Sequence, residues 1–349
     1  MAKIILIGDT HFGVRNSNPV FHQYFGKFYK FLFDWIDNNS DVKNIIQLGD
    51  LFDVRKQVNF LSLHVANQQF FEPVQERGLN LYVISGNHDC YYKNTNLINS
   101  VRLLNRPYMT VIDTVPETYS VGGCNIDFYP WVNDGNLTAT NNMAQTSGSR
   151  FAVGHFEFAK FPMHPGQIAE TGMDHKILHR YERVFSGHYH CISRRDNVLY
   201  TGTPYEMDWA DHNDPKGFWS LETETGQLDF IRNPHRLHER LYYDEDNDVI
   251  QLDQVYEKYV KLIVVNKKDQ RTFDAVITAI NAARPYDLQV IDNDVTVAIK
   301  TALATSVDIQ TTSAMINHVV DLMPTNLDKE KLKKYIAETY AEANDLVRI

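Results

Sequence analysis

Five apolar runs in the first 190 residues give way to residues able to hold a cation or move a proton. They are Asp9-Thr10-His11, Gly49-Asp50, Gly86-Asn87-His88-Asp89, Gly154-His155 and Gly187-His188-Tyr189-His190. Carboxylate, amide and imidazole donors with no thiolate among them suit manganese, magnesium or iron better than a structural zinc. Asp9, Asp50, His11, His155, His188, His190 and Asn87 are more ligands than one ion takes. With one aspartate shared, they suit two divalent ions about 3.5–4 Å apart, which can activate a water and hold a phosphoryl oxygen. The glycines before Asp50, Asn87, His155 and His188 fit tight turns or close backbone approach at such a site.

Each fragment alone has an ordinary explanation. Asp-x-His after an apolar run serves as a helix cap or turn. Asn-His-Asp can satisfy backbone groups in a turn, and a His-x-His pair shares one strand face that is often only solvated. The joint occurrence of all five, in order and each where an apolar run ends, favours the metal site. The outer carboxyl ends of the strands in an open α/β sheet are where such residues collect.

The runs that must position them are "KIILIG" (3–8), "NIIQLG" (44–49), "LYVISG" (81–86), "RFAVGH" (150–155) and "RVFSGH" (183–188), all reading as buried strands. Between the first two, Phe21, Phe25, Phe28, Leu32 and Trp35 recur at helical spacing, and a second helix is expected at about 58–77. Strands alternating with helices predict an α/β layered domain with a partly parallel sheet. The polar stretch 133–150 reads as an exposed loop, and 214–234 as a hairpin that closes the domain. Beyond it, "YVKLIVVN" (259–266), a helix at 270–283, "DLQVID" (287–292) and "VTVAIK" (295–300) predict a small β-α-β-β unit. The tail carries two expected helices, at 312–323 and 327–346. The domains expected are therefore 1–235, 236–302 and the helical tail 303–349.

With 349 residues, 43% hydrophobic and 22% charged, the composition is that of an ordinary globular protein. No apolar run approaches the roughly 18 residues that span a bilayer, and the first twelve residues turn polar too early for a signal peptide, so a cytoplasmic protein without membrane contact is expected. Cys90, Cys124 and Cys191 fit neither a disulfide framework nor a zinc ribbon, and packing is the role expected of Cys90 and Cys191. A net charge of -10 repels a polyanion, so contact with nucleic acid needs a local basic patch, metal ions or a partner. Lys258, Lys261, Lys267, Lys268 and Arg271 offer a modest patch of that kind, which a simple solvated face explains equally well.

The ordered motifs resemble those of the calcineurin-like metallophosphoesterases. Within them, "GDLFD" (49–53), "SGHYH" (186–190) and "YTGTPYEMDWADHNDPKGF" (200–218) resemble the SbcD-type exonuclease subunits and their tailed-phage counterparts, the nuclease subunits of double-strand-break repair complexes. The resemblance is strong over residues 1–235 and extends to the rest only in layout. It implies a two-sheet sandwich flanked by helices, a small α+β capping domain that shapes the DNA substrate, and a helical tail. It implies further that Asp9, His11 and His190 hold one ion, that Asn87, His155 and His188 hold the other, and that Asp50 bridges them. His88 takes the place of the catalytic histidine facing the scissile phosphate, and Asp89 that of a group orienting it. One branch of these nucleases has a further histidine where this chain has Asp53, so no second active-site histidine carries over. Asp53 is left as a group behind the ligands or as a turn residue. The implied partners are DNA, a second copy of the chain, and an SMC-like ATPase with P-loop heads and a coiled coil. This sequence has no P-loop of its own, and the helix at 327–346 is the expected docking segment.

Two rival readings share these residues. A small-molecule or cyclic-nucleotide phosphodiesterase, or a protein phosphatase, would use the same metal site; protein phosphatases of this group carry Asp-Arg-Gly after the second motif, where this chain has "DVRKQ" (53–57). A non-catalytic scaffold holding an ATPase on DNA would not need the full motif set, which is present.

Overall fold

Apolar, β-branched runs bounded by glycine become strands because both their faces are covered. In the computed structural model, which describes residues 2–164, 166–246, 250–292, 320–321 and 328–334, the chain divides into two units, Met1–Leu237 and His238–Ile349. The first unit contains β1 (Lys3–Ile7), β2 (Val42–Gln47), β3 (Asn80–Ile84), β4 (Met109–Ile112), β5 (Glu117–Val121), β6 (Cys124–Tyr129) and β7 (Phe151–Gly154). A short hairpin of β8 (Pro162–His164) and β9 (Gln167–Ile168) follows, then β10 (Arg183–Ser186), β11 (Ser193–Arg195), β12 (Val198–Tyr200), β13 (Gly217–Glu222) and β14 (Leu228–Arg232).

These strands build two six-stranded sheets, ordered β14-β13-β1-β2-β3-β4 and β11-β12-β10-β7-β6-β5. Strands β1 to β4 run parallel, as do β6, β7, β10 and β12, and antiparallel strands close every edge except that at β4. Ile4, Leu6, Ile46, Ile84, Phe128, Phe151 and Phe185 interlock between the sheets in one buried core. The result is the two-sheet sandwich that the motifs imply. The helix Pro19–Asp37 starts at an Asn18 cap, with Pro19 in its first turn. It buries Phe21, Phe25, Phe28 and Leu32 of the face its spacing predicts and leaves Trp35 half-buried, and Phe28 meets Phe218 of β13.

The second helical stretch starts at Phe60 and reaches Glu76, but it changes to a π-turn over Asn67–Phe71. There the Glu72 N–H reaches back to the Asn67 carbonyl, one residue past the α-helical partner. Pro73, which has no N–H, follows at once, so the ladder is re-registered beside the residue that cannot continue it.

The expected loop at 133–150 is corrected to a helix over Leu137–Thr146. Only Thr140 and Ala144 of it are buried, a stripe too narrow to register as amphipathic periodicity. Strands β4 to β6 and the β11–β12 pair were also not singled out from the sequence. β4, β5 and β11 are edge strands, β12 is only three residues long, and β6 alternates apolar with polar residues at its start.

In the second unit, β15 (His238–Asp244), β16 (Tyr259–Asn266) and β17 (Asp287–Asp292) form a parallel sheet in that order. The helix Gln270–Ala282 packs Phe273 and Ile280 with Leu241, Val260 and Leu262 of that sheet. The strand β15 extends the expected β-α-β-β unit at its start. The strand expected at 295–300 lies outside the described residues, as does most of each expected tail helix; of the second, 329–334 are helical. The basic patch is largely neutralised: Lys258 pairs with Glu239 at 3.0 Å, Lys267 with Asp292 at 2.9 Å and Lys268 with Asp246 at 2.6 Å.

Candidate metal centre

Parallel strands deliver their carboxyl ends to one edge, and the loops after β1, β2, β3, β7 and β10 meet there. The loop after β1 is stitched to the loop after β2: Thr10 and His11 donate their N–H groups to the Asp50 carbonyl, and Phe12 donates to that of Leu51. Gln47 folds its amide back on the turn, donating to the Gly49 carbonyl at 2.6 Å and accepting from the Gly49 N–H at 3.1 Å. His11, Asp50 and His188 adopt left-handed φ values of 41°, 52° and 88°. A non-glycine residue holds that conformation at an energetic cost, and such positions concentrate at functional sites.

All seven expected ligands converge. Donor atoms of Asp9, His11 and His190 lie within 4.8 Å of one another, as do those of Asp50, His155 and His188. Asn87 joins the second group, its Oδ1 lying 2.9 Å from both His155 Nε2 and His188 Nδ1. Asp50 Oδ2 stands between the groups, 3.7 Å from His11 Nε2 and 3.4 Å from His155 Nε2, where one carboxylate can serve two ions. The main chain supports the set: His155 Nδ1 donates to the Leu48 carbonyl at 2.8 Å, and the His188 N–H donates to Asp9 at 2.9–3.0 Å. A ring nitrogen fixed by a carbonyl leaves the other free to ligate.

The residues fit divalent ions on three counts. The His11 Nε2 is buried without a hydrogen bond, an expense that coordination removes. The donors are hard oxygens and imidazoles, as the sequence indicates. The glycines are also required by space. A Cβ at Gly86 would strike the Asp50 carboxylate, one at Gly49 the His155 ring, and one at Gly187 the Asp9 carboxylate.

Electrostatics are strained in the same direction. Burial pushes the Asp9 carboxyl up to about 7, with Asp50 adding repulsion. At Asp50 burial is outweighed by His155 and His11, and its carboxyl is held well below the usual range. Burial likewise opposes charge on His11 and His155, but Asp53 and Asp50 for the first, and Asp50 and Asp9 for the second, raise each to about 9. Burial and the neighbouring His155 push His188 down to about 3, and burial with His11 lowers His190 as well. Two buried carboxylates crowded by imidazoles are a charge arrangement that divalent cations balance.

His88 stands beside the ligands, its ring 4.9 Å from that of His11 at a steep angle. Asp89, expected to orient His88, is engaged with the main chain. The fully buried Asp89 carboxylate accepts from the N–H groups of Leu51, Phe52 and Gly86 at 2.9–3.2 Å, and so clamps the loop after β2 to the turn after β3. Three converging backbone donors outcompete an imidazole for its lone pairs. The group holding His88 is the main-chain carbonyl of Asp53, 2.5 Å from Nδ1.

Other residues at the site were not found from sequence. Lys216, only 4% exposed, pairs with Asp211 at 2.6 Å and Asp214 at 2.8 Å and donates to the His190 carbonyl at 2.9 Å. Its one signal is a lysine among close acids in "DHNDPK". His164, on the β8–β9 hairpin, lies with its ring 5.7 Å from that of His190, and Glu157 approaches His188 at 4.0 Å.

A chain of this architecture and donor set is a metallophosphoesterase: the family model for calcineurin-like phosphoesterases matches residues 2–192, and the chain belongs to that family. A curated relative is similar over nearly its whole length. It is Exonuclease subunit 1 of Enterobacteria phage T4, 31% identical over 350 residues, spanning 98% of this chain and 99% of that protein. No helix among the described residues is long and apolar enough to cross a membrane.

Proposed function

We propose that this chain is the nuclease subunit of a DNA recombination and repair assembly, cutting phosphodiesters at duplex ends and within single strands. The observation that carries the reading is end-to-end similarity to a phage protein named as an exonuclease subunit, combined with a complete ligand set. Two divalent ions, manganese in this reading, would be held by Asp9, His11 and His190 and by Asn87, His155 and His188 with Asp50 shared, and would supply Lewis acidity to a bound phosphodiester.

The chain's own proton chemistry lies with His88. A ring nitrogen facing a carbonyl can only donate, so Nδ1 carries a hydrogen. Protonated also at Nε2, the ring gives that proton to the departing oxygen as water adds to phosphorus and the leaving P–O bond breaks. Strand ends and glycine turns fix the surrounding groups before substrate arrives, as electrostatic catalysis requires.

The word "subunit" in the relative's name points to a complex. In this reading the partner is an SMC-like ATPase, which brings the ATP site and much of the DNA affinity that a net charge of -10 denies this chain. A second copy is the other partner. Val54, Phe60, Tyr91, Ile98 and Leu103 line one cleft, and Phe60 and Leu103 are 89% and 80% exposed. Arg55, Lys56 and Gln57 share that lining, and exposed large apolar side chains with a polar rim are what an interface presents. The test is a plasmid-nicking and labelled-DNA assay beside a chromogenic phosphodiester assay, each with Mn2+. DNA cleavage is the expected result, and turnover of the chromogenic ester alone would move the reading to small-molecule substrates.

A further inference from the structure

We infer that Asp53 positions two working imidazoles at once, its carboxylate orienting His11 and its main-chain carbonyl orienting His88. The inference rests on the nuclease reading above and adds to it the means by which ligand and acid are kept in register.

Asp53 is held by three groups. Its N–H donates to the Phe12 carbonyl at 3.1 Å, which ties it to the loop carrying His11. Its Oδ1 lies 3.3 Å from His11 Nδ1, on the far side of the ring from Nε2, the nitrogen nearest Asp50. Its carbonyl lies 2.5 Å from His88 Nδ1. A carboxylate behind a ligating histidine fixes the tautomer with the proton at the rear and the lone pair toward the ion, and it makes that lone pair more basic. Asp53 thereby couples the loop after β1 to the turn after β3 through a residue that need not touch substrate.

Donor atoms of His11, Asp53 and His88 also lie within 4.8 Å of one another, which raises the prospect of a further ion site. The geometry favours positioning. His88 Nδ1 is committed to the carbonyl, and the Asp53 side chain is 28% exposed, at the rim of the buried cluster.

The experiment compares the full-length wild type with D53A and D53N. Unbound Mn2+ is followed by electron paramagnetic resonance during titration, and folding by circular dichroism. D53A should bind Mn2+ about 10–100-fold more weakly. D53N, which keeps an acceptor oxygen, should recover part of the loss. Cleavage by both variants should rise toward wild type in excess Mn2+, because the carbonyl holding His88 is unchanged. Equal Mn2+ affinity in D53A, or in D53N should D53A not fold, would overturn the inference and leave the nuclease reading intact. A wild-type chain that neither binds Mn2+ nor cuts DNA would overturn both.

Discussion

Neighbouring side chains divide the work in the turn after β3. Asn87 faces the ligand cluster, His88 is held through Nδ1 by the Asp53 carbonyl and is the proton carrier of the proposal, and Asp89 turns inward to bind three backbone N–H groups. His88→Ser should remove cleavage and leave Mn2+ affinity near wild type, measured by titration and single-turnover DNA cutting. Asp89→Asn should instead act through stability: it puts an amide donor among converging N–H donors, at a cost of about 1–3 kcal/mol readable by urea denaturation. Much of the site at this scale could be read from sequence, because each ligand lies within a few residues of a strand end and its type names its chemistry. The supporting residues could not. Gln47 and Lys216 work through contacts to main-chain or side-chain atoms that only folding brings near, and Asp53, marked in the sequence as a group behind the ligands or a turn residue, needs the fold to show which histidines it meets.

Strand ends and the loops beyond them form the next level, where space is as limiting as chemistry. Gly86→Ala would drive a methyl into the Asp50 carboxylate, with backbone rather than a flexible tip nearby. Loss of high-affinity Mn2+ binding with strands retained by circular dichroism is the expected outcome. Lys216→Met leaves Asp211 buried without its cation, and removing one member of a buried pair should cost about 3–5 kcal/mol in denaturant unfolding. The strands of the first unit legible in sequence were the five continuous apolar runs and the 214–234 hairpin, while the interior strands β6 and β12 were missed. The Leu137–Thr146 helix and the edge strands were missed because one narrow buried stripe, or one buried face, leaves mostly polar residues. The π-turn before Pro73 was likewise beyond periodicity, since it alters hydrogen-bond register without altering which residues are apolar.

For the whole molecule, the family, the sandwich and a metal-dependent phosphoesterase activity stand together, and the proposed assembly rests on a net charge of -10 and on the exposed Phe60 and Leu103. Replacing Phe60 and Leu103 together with glutamate should convert a dimer to a monomer in sedimentation equilibrium, with the metal centre unaffected. The two-unit division at Leu237 and His238 places a parallel three-stranded sheet after the phosphoesterase unit in the sequence. Its role as a DNA cap belongs to the proposal, since its lysines are largely paired with acids. The most direct test of the central claim is cleavage of end-labelled linear duplex DNA by the purified full-length chain across a series of divalent ions. Cutting that needs Mn2+, stops with chelator and is absent in His88→Ser is the predicted result. An intact duplex with every ion, or unchanged cutting by the His88→Ser chain, would contradict it.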